Sequence, residues 1–395
     1  MKKLLLSILI VSILAGCKTG ENESQNVIDS ATLDAYFQKS DLPAAIMGYC
    51  TQDGQMEWKA FGPSIWGETD TINENNIFRI FSMTKAIASV AVLQLVEQDL
   101  IDLDEPLDEL MPEMTSIPIL SKNGELIAAK KAITLRSLLT HTAGFGYNFS
   151  DQRLQEFDRT GWEYEDLPRL FESGEQWNYG TNLDWVGKII EKISGQDLET
   201  YLRKNVTGPL KMNSTWFNVP EELKENIVSW GARDSTSFQE YPRIPNKPVS
   251  SFSAGGGLFG SAKDYLTFLK CILNDGKYDG GQLLKPETVE SLFKNQLPIG
   301  LNIEHNIPKD GLPNTEQYSD EADTYGLAWA IENNKNELLR SKGSGYWSGI
   351  ANSYYSIDPK KGVAIVYFTQ FFPFKDKETY DFYRLFEKEV YSSLK

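Results

Sequence analysis

The chain has 395 residues, 24% of them charged, and a formal net charge of −16. That excess of carboxylates argues against nucleic acid as a partner, because phosphate is bound through Lys and Arg. The two histidines and three cysteines form no cluster at zinc spacing, so neither a metal nor another cofactor is implied.

The N-terminus reads as a processing signal. Lys2 and Lys3 precede an apolar run, residues 4–14, too short to span a bilayer. It ends in Leu14-Ala15-Gly16-Cys17, which resembles a bacterial lipobox. The resemblance implies that residues 1–16 are removed, that Cys17 is lipidated, and that the protein is an extracytoplasmic, membrane-anchored lipoprotein. An ordinary secretory signal with an incidental cysteine is the alternative. Residues 17–27 then form a polar tether. About 370 residues remain, ample for a large core.

The first expected elements are a short helix over residues 28–38 and two strands, 44–50 and 55–61. Asp53-Gly54 makes the hairpin between the strands. Residues 76–81 read as extended and lead into a helix over 83–98 that is apolar nearly all round and therefore buried. Residues 135–140, 182–193 and 262–273 follow helical patterns. Residues 302–323 are polar with Pro and Gly, as in a surface loop. Strands are expected over 325–331, 353–357 and 362–369, and a closing helix over 382–394. This order suggests a mixed α/β lobe, residues 28–100 and 251–395, split by a helical insertion, residues 101–250. Cys50 and Cys271 fall in an apolar strand and an apolar helix, which favours two buried free thiols over a bridge.

Chemistry concentrates at Ser82-Met83-Thr84-Lys85. Residues three apart on a helix share one face, and a desolvated lysine can take the proton that keeps a serine hydroxyl a poor nucleophile. Ser82 sits where an N-cap would. The helix N-terminus and burial both disfavour the ammonium and make a neutral amine accessible. The spacing alone is weak: S-x-x-K arises by chance about once or twice in such a chain. Ser291 with Lys294 and Ser392 with Lys395 are two further copies. His141 lies in a Thr-His-Thr-Ala-Gly setting that reads as a structural turn, although its imidazole is a possible base. His305 falls in the polar loop.

Two other stretches carry suitable chemistry. Tyr179 follows Trp177-Asn178 and precedes Gly180 at a helix entrance. It is either a packed aromatic or a phenol able to relay protons. Trp347-Ser348-Gly349-Ile350 precedes the last strands. It is either an ordinary strand start or a place where a backbone N–H approaches a substrate carbonyl.

Taken in order, these stretches resemble the class C β-lactamase-related serine hydrolases, a family that includes class C β-lactamases, D-Ala-D-Ala peptidases and family VIII carboxylesterases. The resemblance rests on residues 78–85, 134–144, 177–179 and 208–215, the glycine stretch of 253–268, and Asp358-Pro359. It implies a β-lactamase/penicillin-binding-protein-like α/β (α+β) fold, an antiparallel sheet flanked by helices with an inserted, mostly helical domain. It implies Ser82 as nucleophile, Lys85 as base, Tyr179 as proton partner, and the Ser82 and Ile350 amides as oxyanion hole. Substrate contacts would come from Trp347, Ser348, Gly349 and Asn182.

Two departures bear on specificity. The lactamases have Tyr-x-Asn, whereas Thr181 stands third here and Asn182 comes one later. Their Lys-Thr-Gly is replaced by Trp347-Ser348-Gly349, similar to the esterase version, which leaves little to attract a penicillin or peptide carboxylate. The expectation is a serine hydrolase acting on a small-molecule ester or acyl substrate. A D-Ala peptidase, amidase or weak β-lactamase on the same site is the runner-up. A non-catalytic lipoprotein that binds cell-wall fragments is the reading of another class.

Overall fold

The computed structural model describes residues 30–234, 237–303, 323–333 and 339–394. The leader, Cys17, the tether, His305 and most of the polar loop lie outside them. Along the chain run α1 (Ser30–Lys39), β1 (Ala45–Thr51), β2 (Met56–Phe61), β3 (Ile77–Arg79), α2 (Thr84–Glu97), α3 (Leu135–Leu139) and α4 (Asn182–Ser194). They are followed by β4 (Phe259–Ser261), α5 (Ala262–Leu273), β5 (Thr324–Tyr325), β6 (Ala330–Ile331), β7 (Gly345–Gly349), β8 (Ser353–Asp358), β9 (Val363–Phe368) and α6 (Lys377–Ser393). Shorter pieces lie between these, including a strand pair at Gly231–Arg233 and Phe238–Glu240 within the mainly helical stretch.

Seven strands form one antiparallel sheet in the order β5-β6-β7-β8-β9-β1-β2. The central strands are apolar on both faces because both are covered. In β1, Ala45, Met47 and Tyr49 pack with Leu33 of α1 and Phe382, Phe386 and Val390 of α6. The alternate residues, Ile46 and Cys50, face the main core with α2 and α5. The two-residue period of a strand sorts these side chains into opposite layers. Gly48 lies opposite Trp58, and a Cβ there would come within 2.3 Å of the indole ring. Cys50 and Cys271 are free and buried.

Several elements depart from the sequence expectation. The run 325–331 is not one strand: Ala328 adopts a left-handed φ of 71°, and the chain folds into the β5–β6 hairpin. Asp323, expected on an exposed loop, is buried because Tyr346 Oη donates to its carboxylate at 2.5 Å. The last helix starts at Lys377, capped by Asp376, which accepts from Thr379 N.

Candidate active site

Ser82 arrives on a strained segment. β3 pairs with β4, Arg79 opposite Phe259, and Ile80 N–H donates to Leu258 O at 3.0 Å. The chain then turns through Phe81 at a φ of 45°, a left-handed conformation that costs a non-glycine residue about 1 kcal/mol or more. The Phe81 ring packs beside Trp230 and Phe372, which holds the turn in place. Ser82 therefore is not the helix N-cap. The Phe81 kink starts a 3-10 turn, Phe81–Met83, closed by Met83 N–H to Ile80 O, and Met83 stands at the N-cap of α2.

Lys85 follows one turn later and is fully buried. Its Nζ lies 3.2 Å from Ser82 Oγ and 3.1 Å from Tyr147 Oη, and it also donates to Gly255 O. An ammonium has three donors for these three oxygens. A neutral amine donates to Gly255 and Tyr147 and keeps one lone pair for the Ser82 hydroxyl. Both protonation states fit one geometry. Burial, reinforced by nearby Tyr179 and Asp184, pushes the Tyr147 phenol well above its ordinary range, so it stays protonated.

Tyr179 meets Lys85 with its ring, whose centroid is 4.7 Å from Nζ. Its hydroxyl accepts from Trp347 Nε1 at 3.2 Å. The turn that presents it is fixed on both sides. Asn178 N–H donates to His141 O at 2.9 Å and Asn178 Nδ2 to Phe145 O at 3.1 Å. Gly180 passes so close that a Cβ would approach Phe145 O to 2.4 Å. His141 braces the Tyr179 ring from behind, with centroids 4.8 Å apart. Burial, and the charge of Lys85, hold this imidazole well below its usual range, so it is neutral. Its backbone is left-handed, φ 57°, as a structural turn requires.

On the other side, Trp347, Ser348 and Gly349 lie on β7. A Cβ on Gly349 would come within 2.6 Å of Ile80 O. Only glycine lets the end of β7, with Ile350 next in sequence, lie against the segment that delivers Ser82.

The family model described as Beta-lactamase matches residues 41–389. The chain belongs to the β-lactamase family. It is 31% identical over 343 residues, 80% of this chain and 81% of the relative, to a monacolin J acid methylbutanoyltransferase from Aspergillus terreus. It is 28% identical over 296 residues, 67% and 73% of the two chains, to a lovastatin esterase from Penicillium rubens. A solved simvastatin synthase variant from Aspergillus terreus superposes with a TM-score of 0.80 at 26% identity, covering 92% of this chain and 98% of that one. The protein is thus a serine hydrolase/acyltransferase-family enzyme with the β-lactamase fold, and the reading as a non-catalytic lipoprotein falls away.

Within this β-lactamase-family site, Ser82, Lys85, Tyr179 and Trp347 come together as the family resemblance implied. Asn182 does not join them as a substrate contact. It is fully buried on α4, and its Nδ2 is 3.0 Å from His141 Nδ1. The one-residue shift from Tyr-x-Asn turns the amide into the core. The Ser291 copy of the motif is an ordinary helix end: Ser291 Oγ donates to Thr288 O at 2.6 Å and Lys294 pairs with Glu290 on the surface. Lys395, the end of the third copy, lies outside the described residues.

Sequence reasoning missed Tyr147 and Gly255. Tyr147 follows Gly144-Phe145-Gly146, and like Tyr179 it has a glycine beside it in sequence. Gly255 lies in the glycine stretch that contributes to the resemblance, and its carbonyl is one of the three oxygens on Lys85.

Proposed function

We propose that this enzyme is an extracytoplasmic, lipid-anchored esterase working through an acyl-enzyme on Ser82. The observation that carries this reading is the Lys85 amine, buried within reach of Ser82 Oγ and of two fixed oxygens. Lys85 takes the hydroxyl proton as Ser82 Oγ bonds to the substrate carbonyl carbon. The carbonyl π electrons move to oxygen, where the Ser82 and Ile350 N–H groups stabilise the oxyanion. The tetrahedral intermediate collapses, the C–O bond to the leaving alcohol breaks, and Tyr179 supplies that oxygen with a proton. An acceptor then attacks acyl-Ser82 by the reverse steps. Trp347, in place of the lactamase lysine, favours esters over carboxylate-bearing β-lactams and peptides. The methylbutanoyltransferase relative supports a second reading of the same site, in which the acceptor is an alcohol instead of water.

The substitution Ser82→Ala is expected to reduce turnover of short-chain p-nitrophenyl esters by at least about a thousandfold; undiminished turnover would sink the assignment. Rapid hydrolysis of nitrocefin or a D-Ala-D-Ala peptide would overturn the ester preference. The anchored, extracytoplasmic location rests on the leader and Cys17. Cys17→Ala is expected to move the enzyme from the membrane pellet to the soluble fraction, and an unchanged distribution would refute the anchor.

A further inference from the structure

Asp184 lies on α4, which opens three residues after Tyr179, and is a buried carboxylate behind the site, 5% exposed. Its Oδ1 accepts from Ser253 Oγ at 2.5 Å and from Gly255 N–H at 3.0 Å. A Cβ on residue 255 would come within 2.4 Å of its Oδ2, so the carboxylate rests on a face of Gly255 that only glycine leaves open. The carbonyl of that same Gly255 accepts from Lys85 Nζ. One residue is thus held at its N–H by Asp184 and at its C=O by the lysine.

Charge points the same way. Asp184 is raised by burial, and Lys85 and its two donors act against that. The other ionisable neighbours are Glu165, Tyr147 and Tyr164 around Asp184, and Tyr147, Tyr179 and His141 around Lys85. Asp184 is the carboxylate whose interaction with Lys85 opposes its own burial. A negative charge there offsets the ammonium that Lys85 becomes once it has taken the Ser82 proton.

We propose that Asp184 is a positioning residue of this centre. Its carboxylate grips the Ser253–Gly255 turn, aims the Gly255 carbonyl at Lys85, and supplies the counter-charge for the lysine during acylation. The proposal rests on the acyl-enzyme reading and goes beyond it. Fluorophosphonate labelling of Ser82, followed across a pH series in the full-length wild type, Asp184→Asn and Ser253→Ala, tests it. An unlabelled wild type would overturn the acyl-enzyme reading and this one with it; the variants bear on Asp184 alone.

With the wild type labelled, Asp184→Asn is expected to lower the plateau rate by about tenfold and to move the acidic limb down by about one pH unit, as loss of one nearby opposite charge does. Ser253→Ala keeps the charge, so labelling slows roughly fivefold, the worth of one hydrogen bond, with the limb in place. A folded Asp184→Asn enzyme with the wild-type limb overturns the proposal. If Asp184→Asn does not fold, Ser253→Ala labelled at the wild-type rate overturns it and the slowed rate supports it.

Discussion

Lys85 can hold or release a proton without changing place because oxygens from three separate segments surround its nitrogen. Of these, Tyr147 Oη is the one whose removal leaves the packing intact, because its ring stacks on Phe149 at 4.8 Å and on Tyr164 at 6.1 Å. Tyr147→Phe should therefore fold normally and lose only the hydrogen bond to the lysine. A hydrogen bond to a charged group is worth about 1.5–3 kcal/mol, so kcat for ester hydrolysis should fall by roughly 10- to 100-fold with KM little changed. Unaltered kcat would show that the phenol is a bystander. Ser82 and Lys85 were legible in the sequence through the family resemblance, since their spacing recurs at Ser291 and Ser392, and the turn between them brings the two side chains within 3.2 Å. Tyr147 was not, because it reaches Lys85 across 62 positions, through a fold that spacing does not encode.

At the scale of elements, legibility followed how local the determining physics is. The helical pattern over residues 262–273 coincides with α5, whose start is fixed locally by Ser261, its hydroxyl accepting from Asp264 N–H. α2 falls within one residue of the expected 83–98, but its N-cap is Met83 instead of Ser82, because Phe81 takes a left-handed backbone packed beside Trp230 and Phe372, which lie far away in sequence. The break between β5 and β6 has a similar origin. A Cβ on Gly326 would come within 1.9 Å of Leu292 O, so the hairpin is shaped by a segment some thirty positions earlier. An apolar run such as 325–331 satisfies both a long strand and a tight hairpin, and only tertiary contact chooses. α6 is different: the cap at Asp376 was available in the sequence, but its polar first turn hid the start from a reading based on apolar periodicity.

Across the whole molecule, a series of contacts links the far helix to β7, the strand that bears Trp347. Glu387 on α6 pairs with Arg340 at 2.9 Å, the Arg340 guanidinium lies 4.7 Å from the Tyr346 ring centroid, and Tyr346 precedes Trp347 on β7. The Tyr346 hydroxyl ends on Asp323, which also accepts from Asn333 N–H at 2.9 Å. Burial, with Glu332 adding to it, pushes the Asp323 carboxyl up to about 7. A carboxyl raised on folding binds its proton more tightly in the native state. Its contribution to stability is fully present below the unfolded value near 4 and is lost as pH rises through about 7. In this window native Asp323 is protonated and the unfolded residue is not, so stability should fall with pH. For a chain of this size that slope corresponds to about 1–2 °C in Tm per pH unit. Asp323→Asn imitates the protonated form and removes the titration. The difference in Tm between wild type and Asp323→Asn should therefore widen steadily from about pH 4 to pH 7. Parallel Tm curves would show that Asp323 is ionised in the native protein, with its two donors outweighing burial.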